Sequence, residues 1–262
     1  MKSLRPYCDK NRVEAGCDEA GRGCLAGPVV AGAVILNPNK AIMGLDDSKK
    51  LSHKIRKEIL YTLTKNSIFG IGEVSNIEID QFGISKATFR AMEIALSNLI
   101  ENIKENKETI ILIDGTVMPK FNKKFGFEVR LVKKGDSLSP SIAAASIYAK
   151  CARDELMIKL DKKFTGYGFS KNMGYGTKCH REKILLSGPT HIHRMTFSPM
   201  KNLKDYTGQN ICAAALTFYL INLLNNELKK KINICDFLFF ALLGTICDLM
   251  PLRHSNKHIS KI

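Results

Sequence analysis

The chain is short of acid: 25 Asp and Glu stand against 40 Lys and Arg, a formal charge of +15 with a sequence pI near 9.4. That balance disfavours cationic partners and favours polyanions, nucleic acid ahead of membrane. The stretch Thr207 to Ile262 holds only six of the basic residues and three of the acids, so +12 of the charge falls on Met1 to Tyr206. Among eight cysteines there is no C-x-x-C pair. A chain of 262 residues needs no disulfides to make up for a small core, so reduced thiols and a cytoplasmic location are expected. Long apolar runs are also missing. The longest, Ile211 to Leu224 and Phe237 to Leu249, fall short of the ~20 residues a membrane helix requires and read as buried helices. Met1 to Pro6 lacks the apolar stretch of a signal peptide, so export is not expected.

What is present is an alternation of strand and helix patterns. Val13 to Asp18 and Gly27 to Leu36 read as neighbouring core strands, the second almost wholly apolar, as in a sheet covered on both faces. Lys54 to Thr64 has helical spacing, and Ser67 to Val74 reads as a third strand. A helix follows from Ser85 to Asn102, then strands at Thr109 to Ile113 and Phe127 to Val132. Ser139 to Leu160 reads as one long helix whose small face, Ala143, Ala144, Ala145, Ser146 and Ala149, suits close approach to a sheet. The pattern indicates a layered α/β domain.

Four carboxylates stand at or just beyond predicted strand ends: Asp18 and Glu19, then Asp114 before Gly115, then Asp136 after Gly135. In open α/β sheets that edge is where ligands bind. Successive strand residues point to opposite faces, so Asp18 and Glu19 share one cation only if the chain bends there, which Gly16, Gly21 and Gly23 allow. Taken singly, Asp114-Gly115 and Gly135-Asp136 read equally well as ordinary turns. Taken together, four clustered acids repel one another unless divalent cations sit among them, the arrangement that activates water against a phosphodiester. Arg22, between two glycines, offers a fork of donors to phosphate oxygens.

These stretches, with Asp47-Ser48-Lys49-Lys50-Leu51-Ser52, Ala143 to Lys150 and His193-Arg194-Met195-Thr196-Phe197, resemble the bacterial type 2 ribonucleases H over about Val13 to Pro199. The resemblance implies an RNase H-like mixed sheet flanked by helices. It also implies metal-dependent cleavage, with Mn²⁺ or Mg²⁺, of RNA in RNA–DNA hybrids and at single ribonucleotides embedded in duplex DNA. By resemblance Asp18, Glu19, Asp114 and Asp136 are catalytic metal ligands. Gly21, Arg22 and Gly23 form the loop that senses the 2′-hydroxyl, Lys49 holds a backbone phosphate, and Tyr175 packs on the sugar at the RNA-to-DNA junction. Asp154 resembles a further acid near the metals, although helical spacing alone makes it equally a solvated partner of Arg153. His180, His191 and His193 have no cysteine or acid at zinc-ligand spacing, so hydrogen bonds to backbone or phosphate are expected of them. The rival reading is a catalytically silent hybrid-binding protein, against which the intact acids argue.

Beyond Pro199 the pattern stops. Asn210 to Leu224 and Ile234 to Leu252 resemble a fragment of the RecJ-like single-strand exonucleases of the DHH class, in which Asp248 matches a metal ligand. The accompanying aspartates and histidines are missing, and a lone Asp does not hold a catalytic cation pair. The expected organisation is a catalytic domain over residues 1–206 and a non-catalytic helical extension over 207–262. The apolar helices of that extension need a surface to pack on, either the main domain or another chain.

Overall fold

The computed structural model describes residues 12–40, 42–45, 48, 51–103, 109–119, 126–198 and 200. Lys49 and the extension, with both of its expected helices, lie outside them. The chain divides into two compact units, residues 1–184 with 190–194, and residues 185–189 with 195–262. The sheet and the clustered acids belong to the first unit.

Five strands form one mixed sheet in the order β3-β2-β1-β4-β5. The strands are β1 (Val13–Ala20), β2 (Val29–Leu36), β3 (Ser67–Val74), β4 (Thr109–Asp114) and β5 (Glu128–Val132). β1, β2 and β3 pair antiparallel, whereas β4 runs parallel to β1, and β5 to β4. The helices are α1 (His53–Asn66), α2 (Asn76–Phe82), α3 (Ile84–Ile100), α4 (Pro140–Lys163), α5 (Phe169–Asn172) and α6 (Lys178–Ser187). The short helices α2, α5 and α6 add to the elements read from sequence.

Glycines decide how closely the layers approach. A Cβ on Gly16 of β1 would lie 2.1 Å from the Ser141 carbonyl carbon, and one on Gly32 of β2 2.5 Å from the Ala145 oxygen, so the alanine face of α4 lies backbone-close on one face of the sheet. On the other face Gly70 and Gly72 of β3 meet Ala95 and Ala91 of α3 equally closely. Covered on both sides, β2 is buried from Val29 to Ile35, as its unbroken apolar run requires. Beside α4, Val34, Ile59, Leu63, Ala143, Ala144 and Ile147 share one core, and Ile110, Leu112, Val132 and Ile142 another. α4 begins at Ser139, whose hydroxyl accepts from the Ile142 N–H, with Pro140 in the first turn.

Candidate active site

The parallel pairing of β1 with β4 runs through Cys17 opposite Ile113. One step further, Asp18 and Asp114 stand side by side at the carboxyl edge. Asp136 arrives from the next connection, in a 3₁₀ turn Gly135–Ser137 entered through Lys134 in the left-handed region, φ 57°. The Gly135 N–H donates to Asp114 Oδ1 at 2.8 Å, which ties the turn to the strand end. One carboxylate oxygen from each of Asp18, Asp114 and Asp136 falls within 4.8 Å of the others. Asp18 and Asp136 are buried and Asp114 is half-buried.

Burial pushes the Asp18 carboxyl well above its ordinary range, and the charges of Glu19 and Asp114 push it the same way. Hydrogen bonds from Ser146 and from the Glu19 N–H, the latter 2.7 Å from Oδ1, oppose the rise. Three carboxylates converging at a sheet edge, one of them costly to ionise alone, form the oxygen donor set that suits a hard divalent cation.

Glu19 is placed differently. β1 continues past the acidic pair to Ala20, in unbroken register with β2. Asp18 pairs with Gly32, which abuts α4, whereas Glu19 pairs with Ala31, whose other neighbour, Gly72, abuts α3. Cross-strand partners share a face, so the two acids leave the strand on opposite sides. Glu19 Oε1 lies 3.3 Å from Arg22 Nη1.

The loop after β1 is fixed by the buried side chains of Arg153 and Arg194. Arg153 donates to the carbonyls of Pro28, Ala26 and Met173, at 2.9, 3.0 and 2.7 Å. Arg194 donates to those of Arg22, Gly27 and Pro28, at 2.9, 2.9 and 3.0 Å. Gly21, at φ 93°, leaves no room for a side chain, since a Cβ would lie 2.0 Å from Arg153 Nε. Among the described residues Gly23 faces open space, with nothing within 4 Å of such a Cβ.

Tyr175 is partly exposed, and its hydroxyl shares a hydrogen bond with the buried Cys24 thiol. It stands beside the same loop, because the Leu25 N–H donates to the Gly174 carbonyl at 2.8 Å. Asp154 is buried and faces Lys150 at 2.5 Å and Arg56 at 3.7 Å, so it is no solvated partner of Arg153. Arg56 in turn donates to the Ser48 carbonyl at 2.8 Å, and Ser48 Oγ is 2.8 Å from Ser146 Oγ. A chain of polar contacts thus leads from Asp18 to Asp154. Sequence reasoning named Ser146, Arg153 and Arg194 but gave them none of these roles, and it passed over Arg56, because their partners lie far away along the chain. Two of the three histidines bond to backbone as expected, His180 through the Tyr175 carbonyl and His193 through Thr190, whereas the His191 ring packs edge-on against Phe164.

The protein-family model "Ribonuclease HII" matches residues 15–200. The Ribonuclease HII of Rickettsia felis is 47% identical over 187 residues, a match that covers 71% of this chain and 92% of that protein. Among solved structures, the PCNA:RNase HII complex from Archaeoglobus fulgidus aligns at a TM-score of 0.59 and 29% identity, covering 71% of this chain and 95% of that one. The ribonuclease H2 from Pyrococcus horikoshii aligns at 0.61 and 25%, covering 74% and 98%. The matched span contains the whole sheet from Ala15 onward and all three clustered aspartates, and on that ground the chain belongs to the ribonuclease HII family.

Proposed function

We propose that this ribonuclease H hydrolyses the phosphodiester on the 5′ side of a ribonucleotide, in an RNA–DNA hybrid or in a DNA duplex with a single embedded ribonucleotide. The products carry 3′-hydroxyl and 5′-phosphate ends. The observation that carries this reading is the convergence of Asp18, Asp114 and Asp136 on one sheet edge in a chain of this family. In it these three aspartates hold Mn²⁺ or Mg²⁺, and Glu19, which leaves β1 on the opposite side but lies close enough for its charge to act on Asp18, reaches round the strand end as the fourth carboxylate. When bound, such a pair of cations activates water and stabilises the leaving oxygen.

The rest of the site selects and orients the substrate. Main-chain groups of Gly21, Arg22 and Gly23 read the 2′-hydroxyl that separates RNA from DNA, and the open side of Gly23 admits the close approach this needs. Tyr175 offers its partly exposed ring to the neighbouring sugar, and Lys49 holds a backbone phosphate. Asp154, between Lys150 and Arg56, supports the loop of Ser48 rather than the cations directly. No helix among the described residues is long and apolar enough to cross a membrane, in keeping with a cytoplasmic enzyme that removes ribonucleotides from DNA.

The test is incision of a DNA duplex containing one ribonucleotide, with Mn²⁺ or Mg²⁺, beside all-DNA and single-stranded controls. Incision at the ribonucleotide alone is expected. Asp114→Asn should abolish turnover while leaving substrate binding largely intact. Binding without incision by the unaltered chain would favour the silent hybrid-binding reading, and turnover of Asp114→Asn at the unaltered rate would remove the aspartates from the mechanism.

A further inference from the structure

His180 and His193 are buried side by side, 0% and 1% exposed, with their Nε2 atoms 3.1 Å apart. The rings of Tyr167 and Phe169 close around them. Fixed partners assign the hydrogens. The Tyr175 carbonyl only accepts, so His180 Nδ1, 2.8 Å away, must carry one. In a neutral ring His180 Nε2 is then an acceptor, and the hydrogen between the rings belongs to His193 Nε2. His193 Nδ1 is left as an acceptor, and the Thr190 N–H and hydroxyl each approach it at 2.9 Å. The Thr190 carbonyl, 3.2 Å from the same nitrogen, receives instead the His193 main-chain N–H at 3.0 Å. A single direction of donation therefore runs from Thr190 through His193 and His180 to the Tyr175 carbonyl. Burial lowers the basicity of both imidazoles, which keeps them neutral as this direction requires.

The same pair touches the glycine loop. The backbone of His193 bridges Ala26, and the Arg194 N–H donates to the Leu25 carbonyl at 2.8 Å. Residues just beyond Gly21-Arg22-Gly23 and the main chain of Tyr175 are thus referred to one buried contact.

We propose that His180 and His193 are positioning residues that set the main chain at Tyr175, and with it the ring that packs on the junction sugar. The inference rests on the proposed role of Tyr175 in substrate recognition. His180→Asn retains an amide donor near Nδ1 and with it the bond to the Tyr175 carbonyl, whereas His180→Gln retains reach toward His193 and loses that bond.

The experiment compares the two variants by NMR of ring-labelled tyrosine and by kcat/KM on the single-ribonucleotide duplex, each also in a Tyr175→Ala background. The Tyr175 ring signal should stay in place in His180→Asn and shift in His180→Gln, with kcat/KM about tenfold lower in the Gln variant, the effect of one lost hydrogen bond. In the Tyr175→Ala background the two should agree within about twofold, since the effect passes through the ring. An unmoved signal in His180→Gln, equal behaviour of the two variants, or a tenfold gap that persists without the Tyr175 ring would overturn the proposal. Thr190→Val, which removes only the hydroxyl at the far end, should displace the same signal more weakly, and no displacement would count against the chain even if the histidine variants do not fold. Expected tyrosine signals in a protein that incises nothing would leave the positioning intact and sink the function instead.

Discussion

Gly21 and Gly23 are separated by one residue and do different things. Gly21 combines a positive φ of 93° with a Cβ direction that runs into Arg153, a buried guanidinium already holding three carbonyls. Gly21→Ala should therefore destabilise the fold by about 2 to 4 kcal/mol, measured by urea unfolding. Gly23→Ala meets nothing within 4 Å among the described residues and has no positive φ to oppose it. Its stability should stay within about 0.5 kcal/mol, while kcat/KM on the single-ribonucleotide duplex falls, because the methyl occupies the side left for substrate. Equal losses of stability in the two variants would contradict the geometry. His193 supplies a pH dependence at the same scale. Burial first, then the neighbouring His180, lowers it from 6.5 to about 4. Between those values the unfolded chain takes a proton that the folded one refuses, so stability is full above pH 6.5 and declines as pH falls toward 4. By pH 5 the loss should reach about 2 kcal/mol relative to pH 7.5, and His193→Asn, less stable at pH 7.5, should lose less on acidification.

The elements most legible in the sequence are those whose pattern is local. The apolar run of β2, the helical spacing of α1 and α3, and the Ser139-Pro140 start of α4 all have counterparts in the structure. α2 carried a local signal as well, the Ser75-to-Glu78 capping box, but it has only seven residues and one buried side chain, too little for periodicity to register. The three aspartates were legible because each stands beside a turn at a strand end. The direction of Glu19 was not, since it follows from how far β1 keeps its pairing with β2. The partners of the buried arginines and the contact between His180 and His193 leave no local trace, because they are set by tertiary contact. The seating of α4 on β1 gives a prediction at this scale. Ser146 on α4 bonds Asp18, and Asp136 precedes the helix by only four residues, so the distance of α4 from the sheet sets the distances among the acids. Gly16→Ala would put a methyl 2.1 Å from the Ser141 carbonyl carbon. It should cost about 3 kcal/mol in urea unfolding, and at a temperature where the variant is folded its kcat should still fall. An unchanged kcat would show that α4 does not set the acidic cluster.

For the whole molecule, charge and extent separate the catalytic part from the rest. The match to the Rickettsia felis protein covers 92% of that protein but only 71% of this chain, and the family model ends at residue 200, short of residues 207–262. Most of the positive charge also lies before Thr207. Electrostatic binding to a nucleic-acid duplex scales with the phosphates neutralised, read as the slope of log K against log salt. Ending the chain at Tyr206 should therefore leave that slope within about one unit of the full chain's, and incision at a ribonucleotide should persist. Asp248→Asn in the full chain should leave incision unchanged, because a single carboxylate without companions does not hold a catalytic cation pair. Release of mononucleotides from single-stranded DNA that disappears in Asp248→Asn but survives Asp114→Asn would assign the extension an exonuclease activity of its own and end the view of it as a silent appendage.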